Sequence, residues 1–299
     1  MGSTREVVDS GVDFFGPGSL GKPALAQFLR DTEHARLMWW PQKGVQRMVV
    51  WQGRAMRPSD YTNETGLPGH LRARPYEEFP LLLGKPNAAE WLASTFFDLI
   101  RYWNAPGPRG DVTRAMLHLT LPPFIKAFVN DDGDKGPQCF WDAWLNTLPM
   151  DNAASDKLLP TRFTEIWFPL EKTAEVIMRL RDRRNRLGFS ATGPYACEIY
   201  ATKGSRFWMS PAFNRDMVKI DHFWFTHSIG DPSESYYPQF WDLLKDLDYR
   251  LHWDKYLPKD SAKFLRARYP RWSDFMDLRR KLDADNVFLT DYWRAHLGL

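Results

Sequence analysis

Cysteine is scarce: 299 residues hold only Cys139 and Cys197. Two thiols without metal-ligand spacing exclude a disulfide-stapled scaffold and a cysteine-based zinc site, and they suit a reducing cytoplasm. Long apolar runs are missing too. The longest, such as Leu37-Met38-Trp39-Trp40, fall far short of the roughly 20 residues a spanning helix needs, so no transmembrane anchor is expected. Met1 to Glu6 lacks the apolar core of a secretory leader. Charge of one sign does not dominate either. Forty basic residues face 37 acidic ones, a net of +3, which is too balanced for a nucleic-acid partner. The densest basic run, Arg179 to Arg186, closes an amphipathic segment and reads as a solvated helix end set against the negative end of the helix dipole. His34, His70, His118, His222, His227 and His296 form no metal-binding spacing, so no metal is expected. No serine sits in a G-x-S-x-G elbow, which argues against a hydrolase.

What the chain does have is aromatic mass: 14 Trp and a 15% share of Phe, Trp and Tyr, suited to cores and to pockets for sugars or flat rings. Residues 34–41 and 46–52 read as a hairpin around a Gly-containing turn. Residues 53–86, rich in Pro, Gly and Arg, read as a long loop. Asn87 opens a helix with apolar residues at helical spacing to Trp103. Further helices follow around Pro122-Pro123, with a turn at 130–136. Strands are expected at 163–170, 195–202 and 218–225, and helices at 171–186, 237–247 and 273–282, the last capped by Ser273. Strands and helices do not alternate as in a doubly wound sheet, so the expected class is α+β, an antiparallel sheet covered by helices. Residues 1–30 read as a lead-in or linker. Gly16-Pro17-Gly18-Ser19-Leu20-Gly21 spells G-x-G-x-x-G. With no buried strand before it and prolines within and after, it reads as a plain turn rather than a dinucleotide fingerprint.

Glu198 is the first site candidate. A carboxylate in a mostly apolar strand is costly to bury alone. It is therefore a salt-bridged or edge glutamate, or part of a site, and alternation puts Tyr200 on its face. His252-Trp253-Asp254-Lys255 is the second, because an ammonium beside a reacting carbon helps an alcohol lose its proton.

Three segments carry a resemblance. They are Trp208-Met209-Ser210-Pro211-Ala212-Phe213, the His252 to Lys255 segment, and the close Leu282-Asp283 through Phe288-Leu289 to Tyr292, with Tyr269-Pro270-Arg271-Trp272 between the last two. Together they resemble the C-terminal half of the FAD-linked aldonolactone and alditol oxidases, of the D-arabinono-1,4-lactone oxidase type within the vanillyl-alcohol-oxidase superfamily. The resemblance implies a substrate (cap) domain over 31–248 and a C-terminal helical segment over 249–299 completing a flavin-facing site. It implies oxidation of a CH–OH group of a sugar-derived lactone, alditol or related alcohol by hydride transfer to flavin N5, with dioxygen as acceptor. Glu198 aligns with the glutamate of the family's E-x-R pair and Lys255 with the lysine of its H-W-x-K segment. Glu198, His252 and Lys255 are the implied catalytic residues, and Tyr200, His222 and Trp253 the implied substrate contacts. Tyr200 stands where the family has arginine, and a phenol supplies no fixed positive charge. Residues 1–30 are too few for a flavin domain. FAD would then come with a flavin domain that is supplied by another polypeptide or has been lost by truncation, and the face left open would favour a partner or a homo-oligomer. The alternatives are a non-catalytic ligand- or partner-binding remnant of this family, and a carbohydrate- or aromatic-binding module.

Overall fold

A computed structural model describes residues 2–6, 12–55, 72–73, 88–128, 138–141, 156–259 and 261–299. Its strands are β1 (Gly2–Glu6), β2 (His34–Trp40), β3 (Arg47–Gly53), β4 (Arg72–Ala73), β5 (Gln138–Trp141), β6 (Thr161–Pro169), β7 (Cys197–Thr202), β8 (Met217–Phe225) and β9 (Arg250–Leu251). They form one sheet in the order β4-β5-β1-β3-β2-β7-β8-β6-β9. Every junction is antiparallel except β4–β5. With its helices this is the expected α+β class. The expected hairpin is β2–β3, with Trp40 opposite Arg47. Most of the 53–86 loop, Asn87 and the turn at 130–136 lie outside the described residues.

The helices are α1 (Leu25–Asp31), α2 (Ala88–Leu99), α3 (Pro108–Phe128), α4 (Thr173–Leu187), α5 (Phe189–Thr192), α6 (Pro232–Ser235), α7 (Tyr237–Leu243), α8 (Ala262–Arg268), α9 (Trp272–Leu282) and α10 (Asp291–Leu297). Among the described residues, no helix is long and apolar enough to cross a membrane. Part of the stretch read as a lead-in enters the fold: Gly2–Glu6 pairs with β3, and Val12, Leu25 and Leu29 join the core.

Strand alternation sorts β2, β6, β7 and β8 into two faces. One presents Leu37, Ile166, Phe168, Ile199, Val218 and Ile220, all fully buried. Helical residues Val176, Ile177 and Leu180 of α4 and Phe240 and Trp241 of α7 belong to the same apolar core. Trp241 Nε1 also donates to Thr164 Oγ1 at 3.0 Å. Gly188 ends α4 at φ 59°, a left-handed position few side chains tolerate, and its amide closes the helix on the Arg184 carbonyl at 2.7 Å.

Two local expectations change. The basic run of α4 is not simply solvated. Arg184 is buried and donates to the Pro41 carbonyl, Arg183 reaches Gln239 Oε1 at 2.7 Å, and Arg179 pairs with Asp246 at 2.6 Å. Guanidinium groups on long stems can cover apolar surface and still satisfy carbonyls across a packed interface. Ser273 does not cap α9. The helix starts one residue earlier, the cap position is Arg271 with no side-chain cap bond, and the first turn is tied instead by an Arg271–Asp274 ion pair.

Candidate active site on the polar face of the sheet

The other face of the same strands is polar in register. Glu198 of β7 lies opposite Asp221 of β8, and Asp221 lies opposite Glu165 of β6. One step along the strands, Tyr200 lies opposite Lys219, and Lys219 opposite Trp167. Trp167 in turn faces Arg250 of β9. Two rows of charged and aromatic side chains thus cross the sheet. The three carboxyl residues are all nearly or fully buried.

Three carboxylates at adjacent register positions are costly to bury together. At one end Glu198 is ion-paired to Arg36 Nε of β2, so the salt-bridged reading of Glu198 holds whether or not it also serves a site. At the other end Glu165 has Lys219 Nζ at 3.6 Å. Asp221, in the middle, accepts a 3.3 Å hydrogen bond from the Tyr200 hydroxyl. Burial first, then the charges of Glu165 and Glu198, push the Asp221 carboxyl well above the usual carboxylate range, against a smaller opposing effect of Lys219. The protonated form of Asp221 is favoured accordingly. Two oxygens of the row, Glu165 Oε1 and Asp221 Oδ1, have no hydrogen-bond partner among the described residues. Tyr200 is likewise held as the neutral phenol by burial and by Asp221.

The folded state binds the Asp221 proton more tightly than the unfolded state does. The contribution of Asp221 to stability therefore declines as pH rises above the ordinary carboxylate range. Asp221→Asn removes that cost. Its melting temperature should exceed that of the parent near pH 7, with the gap closing as pH falls toward 4. Each kcal/mol recovered is worth about 2–4 °C in a chain of this size. A variant no more stable than the parent at pH 7 would show that Asp221 is not held protonated.

The C-terminal segment reaches this face from the β9 edge. The amide of His252 donates to the Glu165 carbonyl at 3.2 Å, continuing the ladder. His252 Nδ1 accepts from the Asp254 amide at 3.1 Å, which puts the imidazole proton on Nε2. Burial, opposed by Glu165 and reinforced by Lys255 and Lys219, holds that imidazole below the usual histidine range and so neutral. Lys255 Nζ stands 4.4 Å from the centre of the Phe163 ring, and Phe163 packs against Phe223 at 5.1 Å.

The loop carrying the Ser210-Pro211 turn is tied to the same segment. Arg250, itself buried, donates to the Pro211 carbonyl at 2.9 Å, and Trp253 Nε1 donates to the Met209 carbonyl at 2.8 Å. The Trp253 ring packs among Tyr269, Trp272 and Trp293. The hydroxyl of Tyr292 anchors the Trp253 carbonyl at 2.6 Å. The motifs near 210, 253, 270 and 290 are therefore one packed unit.

Glu198 and Tyr200 share a face, as alternation requires, and His252 and Lys255 stand at the β9 edge of that face. His222 is on the opposite side of the sheet. It stacks on Phe240 at 3.7 Å, lies 3.4 Å from Cys197 Sγ, and is fully buried, with burial pushing its pKa down to about 3. The structure does not bring it together with Glu198. Trp253 spends its indole N–H on the loop, and its ring lies in the cluster below. Arg36, Glu165, Lys219 and Asp221 do not emerge from the sequence as site residues. A signal exists for two of them: Lys219 and Asp221 alternate with the apolar Val218 and Ile220 along β8.

Residues 150–296 match the family model described as D-arabinono-1,4-lactone oxidase. Residues 150–296 carry the C-terminal half of the FAD-linked aldonolactone oxidase family. All of the carboxylate row and the His252 to Lys255 segment lie inside the matching region. An L-gulono-1,4-lactone dehydrogenase of Mycobacterium tuberculosis is 34% identical over 139 residues, 46% of this chain and 31% of that protein. An alditol oxidase of a Streptomyces species is 33% identical over 101 residues, 33% of this chain and 23% of that protein. The L-gulonolactone oxidase of Mus musculus is 28% identical over 125 residues, 42% of this chain and 28% of that protein. The matches thus span less than a third of each of these lactone and alditol enzymes. A solved structure, a solvent-stable cholesterol oxidase, overlaps 78% of this chain and 44% of its own at 13% identity and a TM-score of 0.48.

Proposed function

We propose that this chain is the substrate (cap) domain of an FAD-dependent oxidoreductase acting on the CH–OH group of a sugar-derived lactone, an alditol or a related alcohol. The flavin would be held by a flavin-binding domain beyond these residues, and dioxygen would be the final acceptor. The observation that supports this reading is the polar face itself. A buried carboxylate row, a neutral histidine and a lysine at its edge all lie within the family-matching region.

The described residues suit a substrate held beside the flavin ring and do not suit the FAD pyrophosphate. The Gly16 to Gly21 stretch is unsuited to the pyrophosphate. The Gly18 amide, which a phosphate would need, already donates to Asp13 Oδ2 at 3.0 Å. The Gly18 backbone, at φ 84°, is folded against Ala24 so closely that a Cβ there would lie 2.5 Å from the Ala24 nitrogen. That is a self-closed turn. The polar sheet face, by contrast, offers orphan acceptors, N–H donors and an ammonium of the kind that holds a polyhydroxylated substrate against a redox-active ring.

The bound flavin would supply the hydride-accepting atom, N5. The chain's residues handle the substrate and its proton. Glu198, held in place by Arg36, accepts a hydrogen bond from a substrate hydroxyl. His252 presents Nε2–H as a donor. Lys255 stabilises negative charge on the substrate oxygen as that hydroxyl passes its proton to the Glu198 carboxylate, and the hydride of the C–H bond would pass to the flavin. Tyr200 offers a neutral hydroxyl beside Asp221.

The test is to purify the chain, add candidate flavin-domain polypeptides, and follow flavin bleaching under anaerobic conditions with L-gulono-1,4-lactone and with sorbitol. Bleaching that needs both polypeptides, and that falls at least ~100-fold in Glu198→Ala and Lys255→Ala, supports the reading. If no combination binds or reduces flavin, the enzyme reading fails. The second reading, a non-catalytic remnant, rests on Tyr200 at the family's arginine position. It predicts that L-gulono-1,4-lactone or sorbitol binds the chain and that no flavin is reduced.

A further inference from the structure

The second polar row carries a charge that neither the strand-by-strand reading nor the family motifs assign. Lys219 is the register partner of Tyr200. Its Nζ lies 3.7 Å from the centre of the Tyr200 ring, 5.0 Å from that of Trp167, and 3.6 Å from Glu165 Oε1. Its side chain is only 17% exposed. Flexible ammonium side chains rarely lie inside a sheet face without being held, and this one is held on three sides by two rings and a carboxylate. Beside it Asp221 Oδ1 and Glu165 Oε1, on residues at 0% and 3% exposure, have no hydrogen-bond donor among the described residues. Glu165 Oε1 is ion-paired to this ammonium but not hydrogen-bonded, and Asp221 Oδ1 is not hydrogen-bonded, so the set has room for a ligand that can give and take hydrogen bonds at neighbouring atoms.

We propose that Lys219 is a substrate-positioning residue of this site, supplying from β8 the fixed cation that Tyr200 cannot supply from β7. This rests on the reading given under Proposed function and narrows it. The substrate is a neutral compound with adjacent oxygens, a lactone or polyol. One oxygen accepts from Lys219 Nζ, while adjacent hydroxyls donate to Glu165 Oε1 and Asp221 Oδ1. A carboxylate-bearing sugar acid is disfavoured, because the row already holds the Glu198 and Glu165 carboxylates beside the neutral Asp221 carboxyl. Tyr200 acts as the platform: its ring fixes the ammonium, and its hydroxyl is engaged by Asp221.

The experiment is equilibrium binding of L-gulono-1,4-lactone, sorbitol and sodium gluconate to the purified chain by calorimetry, with a thermal melt of each variant. The parent should bind at least one of the two neutral compounds more tightly than gluconate. Lys219→Met should weaken that binding about tenfold or more, as expected for loss of a charge-assisted hydrogen bond. Lys219→Arg should recover most of it. The double variant Tyr200→Arg/Lys219→Met, which returns the cation from the neighbouring strand, should also recover binding, which restored folding alone would not explain. If the parent binds and folded Lys219→Met binds equally well, this inference is wrong while the domain's function stands. If Lys219→Met is unfolded, Lys219→Gln is measured in its place, with the same loss expected and the same equality overturning the inference. A parent that binds gluconate best, or binds none of the three, overturns the inference, and the last outcome also removes the reading beneath it.

Discussion

Arg36→Ala should cost the folded chain about 3–5 kcal/mol, the range for breaking one side of a buried ion pair. The magnitude follows from burial. An exposed pair contributes at most about 1 kcal/mol, because water solvates both partners when they separate. Here the Arg36 and Glu198 side chains are 14% and 5% exposed. Removing the guanidinium takes the Arg36 charge from Glu198 beside Asp221 and Glu165, and three acidic groups then share one sheet face with one cation fewer. Urea unfolding should show a midpoint shift with little change in slope. Arg36→Met/Glu198→Leu, which removes both charges and keeps volume, should recover much of the loss. A single-variant penalty under about 1 kcal/mol would show that the pair is solvated and that the carboxylate row is not buried in solution.

The same ion pair shows why part of the site is legible in the sequence and part is not. Glu198 stands out because its strand is otherwise apolar and because its neighbourhood matches a family pattern. The hairpin, the three central strands and the class can be read from alternation and from helical spacing. Lys219 and Asp221 do not stand out, although Val218-Lys219-Ile220-Asp221 alternates as cleanly as any strand in the chain. Alternation tells which residues share a face of one strand. It does not say which strand is the neighbour or in what register, and the carboxylate row exists only through the pairings of Glu198 with Asp221 and Asp221 with Glu165. His222 illustrates the same point. It adjoins Asp221 in sequence, and that adjacency alone sends it to the other side of the sheet. The Arg179 to Arg186 run departs from its solvated expectation for a related reason. Which arginines are spent on Pro41, Gln239 and Asp246 depends on what packs against α4, and composition carries no information about that.

The division between the two faces has a consequence that can be measured. Phe240→Ala should destabilise the fold by about 3–5 kcal/mol, since the ring is nearly fully buried and its loss leaves a cavity among rings that cannot collapse onto it. Phe240 stacks on His222 at 3.7 Å and meets Tyr236 edge-on at 5.0 Å. Both contacts lie on the helix side of β8, whereas Asp221 and Lys219 leave the strand on the other side. The backbone of β8 is clamped between β6 along its whole length and β7 along most of it. Strain from the cavity therefore has to pass through a paired strand before it reaches the polar row. Below its lowered melting point, Phe240→Ala should bind L-gulono-1,4-lactone or sorbitol with an affinity within about twofold of the parent, under roughly half a kcal/mol. His222→Phe should behave the same way in binding. Paired melting and calorimetry check this directly. A loss of affinity in step with the loss of stability would mean that the helix-covered face and the polar face are coupled, and that His222 reaches the ligand through more than its place in the strand.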